Sequence, residues 1–177
     1  MSFANRVKTN PGIWALVFGG LLALLGSFVR LLTIHGPKGD ASIWALKTTT
    51  GTTLLFVAVL VMLCGAGVAI AAGGGRFWWA LLGGVLALVT LLFGLLCIVN
   101  PAEAATRMAY TEAYSTAVGG VVPPGSISDA YRSAFDAGTL TASANFGAWL
   151  AAIGGAIALV GAVISLVRPH RRVEPDL

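Results

Sequence analysis

Charge is scarce in this chain. Of 177 residues only 10% are Asp, Glu, Lys or Arg, against about 25% in soluble domains. Hydrophobic residues make up 57% and the mean hydropathy is +0.87, more apolar surface than a water-soluble fold of this length can hide. Cysteine and histidine are equally thin, with two of each. Cys64 and Cys97 fall at different depths of neighbouring apolar runs, so they read as small apolar residues. A disulfide needs Cα atoms within about 7 Å, which that offset denies. His35 and His170 fall on opposite sides of a membrane in the layout below, and no Cys/His/carboxylate cluster has ligand spacing, so no metal is expected. Gly-x-Ser-x-Gly, His-Glu-x-x-His and paired membrane carboxylates are all missing. No histidine lies in an apolar run to ligate haem, and no other cofactor motif appears. Gly73-Gly74-Gly75 lacks the Lys-Ser/Thr of a phosphate loop and reads as a turn.

What the chain does have is long apolar runs. A spanning helix needs about 20 such residues. Four stretches qualify, at about 13–34, 52–72, 77–99 and 146–167, and none contains Asp, Glu or Lys. The expected fold is an all-α membrane protein. Four transmembrane helices form an antiparallel bundle, a single domain over residues 1–177, with a small helical extracytoplasmic cap between helices 3 and 4. The first run continues to Ile34, too long for a signal-peptide core, so it reads as a retained anchor. Between the second and third runs only Gly73, Gly74, Gly75 and Arg76 intervene, which forces an antiparallel hairpin.

Lysine and arginine orient the spans. Arg6, Lys8, Arg76, Arg168, Arg171 and Arg172 crowd into short segments on one side. Lys38, Lys47, Arg107 and Arg132 spread over longer, acid-diluted loops on the other. The first side is therefore expected to be cytoplasmic, with both termini there, in the plasma (inner) membrane. Arg30, the one charge within a run, sits near its outer end and is expected to snorkel to the headgroups or to pair with a carboxylate such as Glu103. Arg76, Arg168, Arg171 and Arg172 are further candidate headgroup contacts.

Helix association in lipid relies on small residues that let backbones approach. The fourth run carries two adjacent rows, Gly147–Ala151–Gly155 and Gly154–Ala158–Ala162. A single chain hardly needs both, so one row is a candidate partner interface. The outer loop, residues 100–145, opens with Asn100-Pro101-Ala102-Glu103, a cap, a first-turn proline and a capping-box glutamate. A helix is expected from there to Val118, ended by Gly119-Gly120. Val121–Gly125 should be extended, and a second helix, capped by Ser126 or Ser128, should stop near Gly138. Tyr110, Tyr114 and Tyr131 either cover the bundle or dock a partner, since tyrosine is enriched at interfaces.

These features point to a non-catalytic integral membrane subunit, an accessory, scaffold or assembly component of a larger complex such as a transporter or a respiratory or envelope complex. Other membrane subunits and lipids are the expected partners, with a homo-oligomer as a further possibility. The dispersed basic residues exclude a nucleic-acid face. One alternative is a self-assembling channel or a lipid or small-molecule carrier, for which Ser27, Thr90, Ser165 and Arg30 are a thin polar lining. A further alternative is a lipid-acting membrane enzyme using Glu103, Asp129 or Asp136 of the outer loop, though no spacing singles them out.

Overall fold

The computed structural model describes residues 10–71, 74–120 and 126–167. Most of them are helical. Helix α1, Pro11–Ser27, starts where Asn10 caps it, its Oδ1 accepting from the Gly12 N–H at 3.0 Å with proline at the first position. Helices α2 (Thr49–Ile70) and α3 (Gly75–Val99) form the expected hairpin, and α7 (Phe146–Val167) is the last described helix. Helices α2, α3 and α7 are long and apolar enough to cross a membrane, with mean hydropathies of 2.6, 2.7 and 2.5. Helix α1 is apolar but shorter, at 17 residues.

The first run is therefore not one helix to Ile34. It stops at Ser27, and Arg30–Gly36 is strand β1. Strand β2, Gly39–Trp44, folds back on it, and strand β3, Thr141–Ala144, pairs with its other edge, giving an antiparallel sheet in the order β2-β1-β3. A continuous apolar run does not distinguish a buried strand from a helix. Here the strand alternates. Leu32, Ile34, Ala41 and Ile43 point inward and are buried, while Thr33, His35, Asp40 and Ser42 point outward. A bulge between Arg30 and Leu32 turns Leu31 inward as well, which lets two successive leucines reach the core.

The described residues of the 100–145 segment form three helices where two were expected. Asn100 caps α4 (Pro101–Met108) through the Glu103 N–H, but Ala109 takes a left-handed conformation, φ 47°, and the chain restarts as α5 (Thr111–Val118). No glycine marks that break, and an alanine there costs about 1–2 kcal/mol, so tertiary packing imposes it. The capping box is half formed. The Asn100 N–H still donates to the Leu96 carbonyl of α3, and Glu103 instead accepts from Arg107 Nε at 2.8 Å. Ser126 caps α6 (Ile127–Asp136) as expected. The extended segment Val121–Gly125 lies outside the described residues.

Around the bundle the neighbours run α1, α7, α3, α2 and back to α1. The closest seam joins α1 to α7. Gly12, Gly19 and Gly26 recur every seven residues, and so do Gly147, Gly154 and Gly161. The two sets face each other. A Cβ at Gly19 would sit 2.5 Å from the Ala158 nitrogen and the Gly154 carbonyl, and one at Gly154 would sit 2.6 Å from the Ala23 nitrogen. A seven-residue repeat keeps one face of each helix on its partner along a gently supercoiled pair. The other face of α7 meets α3, where a Cβ at Gly155 would lie 2.5 Å from the Leu91 nitrogen and one at Gly94 would lie 2.5 Å from the Ala152 nitrogen. Leu16, fully buried, fills the centre against Gly65 and Gly83.

A side chain in the seam must push two backbones apart, because no flexible neighbour can yield. Gly154→Val is expected to destabilise the bundle by about 1–3 kcal/mol, read as a lower denaturation midpoint in detergent micelles. Gly74→Ala, at a turn where a Cβ meets nothing within 4 Å, is expected to leave the midpoint unchanged.

Candidate functional site in the sheet-and-helix cap

The sheet and helices α4, α5 and α6 form a cap at one end of the bundle, around a core of their own. Tyr131 lies at its centre, 0% exposed, with its ring edge-on to Tyr114 and stacked on Phe135. Its hydroxyl donates to the Tyr110 carbonyl at 2.8 Å, which satisfies the one polar atom that burial would orphan. Burial pushes the Tyr131 phenol well above its ordinary pKa, so it stays neutral. Tyr114 is 6% exposed. Two of the three candidate interface tyrosines are thus cap interior and are not offered to a partner. Tyr110 is half-buried and donates its hydroxyl to Glu112.

The candidate rows of α7 are spent inside the chain as well. Gly147, Ala151, Gly154 and Ala158 meet α1, while Gly155 and Ala162 meet α3. Because α7 is flanked by two helices, both of its small-residue faces are used. Arg30 is not in a helix. It is exposed on β1, with its guanidinium 5.5 Å from the ring centre of its cross-strand neighbour Trp44. Arg76 lies half-buried at the start of α3, at the far end of the bundle from the cap. Arg168, Arg171 and Arg172 lie outside the described residues. Exposed aromatic side chains ring both ends, Trp14, Phe77 and Trp78 at one and Trp44, Phe146 and Trp149 at the other. That placement suits membrane interfaces.

Among the described residues, the outward face of the sheet carries a polar constellation that spans three strands. His35 on β1 directly opposes Asp40 on β2, and its Nδ1 lies 2.8 Å from Asp40 Oδ1. Its Nε2 lies 3.0 Å from the Oγ of Ser143 on β3. With the proton on Nδ1, the imidazole donates to the carboxylate and accepts from the serine hydroxyl. Beside it the Asn145 amide donates to Thr33 Oγ1, the residue paired with Ser143. This order, carboxylate to imidazole to hydroxyl, is the connectivity that activates a serine nucleophile. It also clips both edge strands to the central one. The side chains of His35 and Asp40 are 43% and 66% exposed, so water screens the pair and its contribution to stability is small. The hairpin alternation that assembles the group is present in the sequence, but it is hidden behind the apolar run that precedes it.

A second polar group stands over the start of α2. Lys47 Nζ is 3.5 Å from Glu112 Oε2, and the Tyr110 hydroxyl donates to the same carboxylate. The tyrosine hydrogen bond and then the ammonium hold Glu112 below its ordinary pKa, and Tyr110 and Glu112 together raise that of Lys47. Among the described residues no group of three or more His, Cys, Asp and Glu comes together to hold a metal ion. Cys64 and Cys97 are free and buried. Compared with known proteins, the chain matches no family model, no curated protein and no solved structure.

The cap core makes a direct expectation. Tyr131→Phe removes one hydrogen bond and is expected to cost about 1 kcal/mol. Tyr131→Ala empties the centre and is expected to cost about 3–5 kcal/mol. Hydrogen exchange over α4 to α6 reports both, with the bundle helices unaffected.

Proposed function

We propose that the chain is a non-catalytic subunit of a larger membrane assembly, a four-span accessory or scaffold with both termini cytoplasmic in the plasma (inner) membrane. The observation that carries this reading is the solid bundle. Where α1 meets α7 and α7 meets α3 the contact is backbone to backbone, and Leu16 fills the centre. Of the buried hydroxyls within the bundle, Ser27 and Thr90 are bonded to carbonyls of their own helices, Ala23 and Leu86, and Ser165 is packed against Gly12 at the seam with no hydrogen-bond partner among the described residues. Such an interior suits a pedestal for the cap better than a channel or a carrier, which needs polar groups facing a path. Helix α1, at 17 residues, is at the short end of what crosses a bilayer, and the aromatic side chains Trp14 and Phe28 stand near its two ends. The crowding of arginine and lysine into the short sequence segments 1–10, 73–76 and 168–172 supports the orientation.

Affinity isolation of the full chain from its native membrane in mild detergent tests this reading. A partner chain in fixed stoichiometry is the expected result. Recovery of this chain alone, before and after chemical cross-linking, overturns it.

The Ser143–His35–Asp40 relay favours a second reading, a lipid-acting enzyme with its chemistry in the cap. In that reading Ser143 Oγ attacks an ester carbonyl as its proton passes to His35 Nε2. The proton then leaves with the alcohol, and water completes hydrolysis of the acyl-serine. A fluorophosphonate probe separates the two readings. Labelling of the wild type that is lost in Ser143→Ala and in His35→Ala supports the enzyme. An unlabelled wild type removes it and leaves the sheet face as a binding surface.

A further inference from the structure

Two polar side chains beside the relay have no part in it. Asn145 stands just before α7, where an asparagine ordinarily caps its own helix through its side chain. Here the backbone makes the turn. The Asn145 carbonyl accepts from the Ala148 N–H at 3.0 Å, and the Asn145 N–H donates to the Leu31 carbonyl at 2.9 Å. The side-chain amide reaches across the sheet instead and donates to Thr33 Oγ1. Thr33 is the register partner of Ser143, and directly opposed residues of an antiparallel pair hold their Cβ atoms about 5 Å apart. Along the strands His35 lies one step of the ladder to one side of the Thr33–Ser143 pair, and Asn145 lies one step to the other. Ser143 Oγ thus has the imidazole Nε2 on one flank, at 3.0 Å, and the amide and hydroxyl on the other.

We propose that Asn145 and Thr33 are the oxyanion donors of this site, an inference that rests on the enzyme reading of the Ser143–His35–Asp40 relay. The amide has a second N–H and the Thr33 hydroxyl has its own proton, and the bond between the two groups consumes neither. Ser143 Oγ bonds to the ester carbon as its proton passes to His35 Nε2. The carbonyl π pair moves to the oxygen, and the oxyanion accepts from both groups. As that pair returns, the bond to the alcohol oxygen breaks and the alcohol takes the proton from His35. Donors contribute most when they are held in place before the charge develops. The Asn145–Thr33 bond holds them, and it ties them to the strand that carries the base. It also accounts for an asparagine side chain that forgoes the cap of its own helix.

The test is the rate at which a fluorophosphonate labels the full chain in detergent micelles. In that reaction Ser143 Oγ bonds to phosphorus, fluoride leaves, His35 takes the proton, and the phosphoryl oxygen stands where the oxyanion would. Asn145→Ala and Thr33→Val are each expected to slow labelling about 100-fold, the size of one lost oxyanion donor. The pH dependence of labelling is expected to keep its shape, because neither donor titrates. Thr33→Ser, which restores the hydroxyl, is expected to recover most of the loss seen in Thr33→Val. A wild-type rate in Asn145→Ala or Thr33→Val overturns the assignment and leaves the relay reading standing. Slower labelling with an altered pH profile marks the two residues as a tie between strands and also overturns it. A wild type that is never labelled removes the relay reading itself, and this inference with it.

Discussion

The direct contact between the backbones of α1 and α7 is the constraint on which the rest of the molecule depends. In lipid a leucine gains little by leaving its neighbours for another helix, so association has to come from close fit. Gly12, Gly19 and Gly26 against Gly161, Gly154 and Gly147 supply that fit at three levels, in opposite chain directions. Once α7 is fixed on α1, its other side presents Ala152, Gly155 and Ala162 to α3. Helix α2 then completes the ring between α3 and α1. The large apolar side chains are left outside, among them Phe56 and Leu63 on α2 and Val85 and Leu92 on α3.

The cap inherits its geometry from that seam. Strand β1 leaves the end of α1 and β3 leads into α7, so pairing the helices brings the strands into register. The Asn145 N–H donates to the Leu31 carbonyl at 2.9 Å, and a Cβ at Gly147 would press on the Arg30 carbonyl at 2.7 Å. The sheet is thus a continuation of the helix pair in another backbone conformation. Its apolar side meets α4, α5 and α6, and its polar side gathers His35, Asp40 and Ser143. A solid stem and a folded head are one construction.

Much of this was open to inspection in the residue order. The start of α7 matches that of the apolar run at 146–167, and the ends of α2 and α3 fall within a few residues of expectation. Asn100 and Ser126 cap helices as their chemistry requires. The failures have physical causes. Apolar residues after Ser27 are as compatible with a buried strand as with a helix, and only pairing with β2 and β3 decides between them. Ala109 breaks a helix without a glycine, because packing and not local preference sets its φ. Tyr114 and Tyr131 were open to two readings, covering the bundle or docking a partner, and spacing alone does not choose; their rings pack in the cap core beside Leu32, Ile34, Ile43 and Leu140. The glycine heptads were legible as spacing, but which helices they would join was not. The relay depends on residues 108 positions apart, beyond the reach of any local pattern.

The seam also bears on the order of assembly. Its two helices are separated by every other described element of the chain, and β1 waits equally long for β3. During synthesis the glycine face of α1 therefore stays uncovered until α7 arrives. Non-local closure of this kind is slow and leaves intermediates exposed. The hairpin of α2 and α3 can form early from neighbouring residues, while the outer helix pair and the third strand lock together in one late step. The glycines that make the finished bundle tight therefore also set the interval in which it is unfinished.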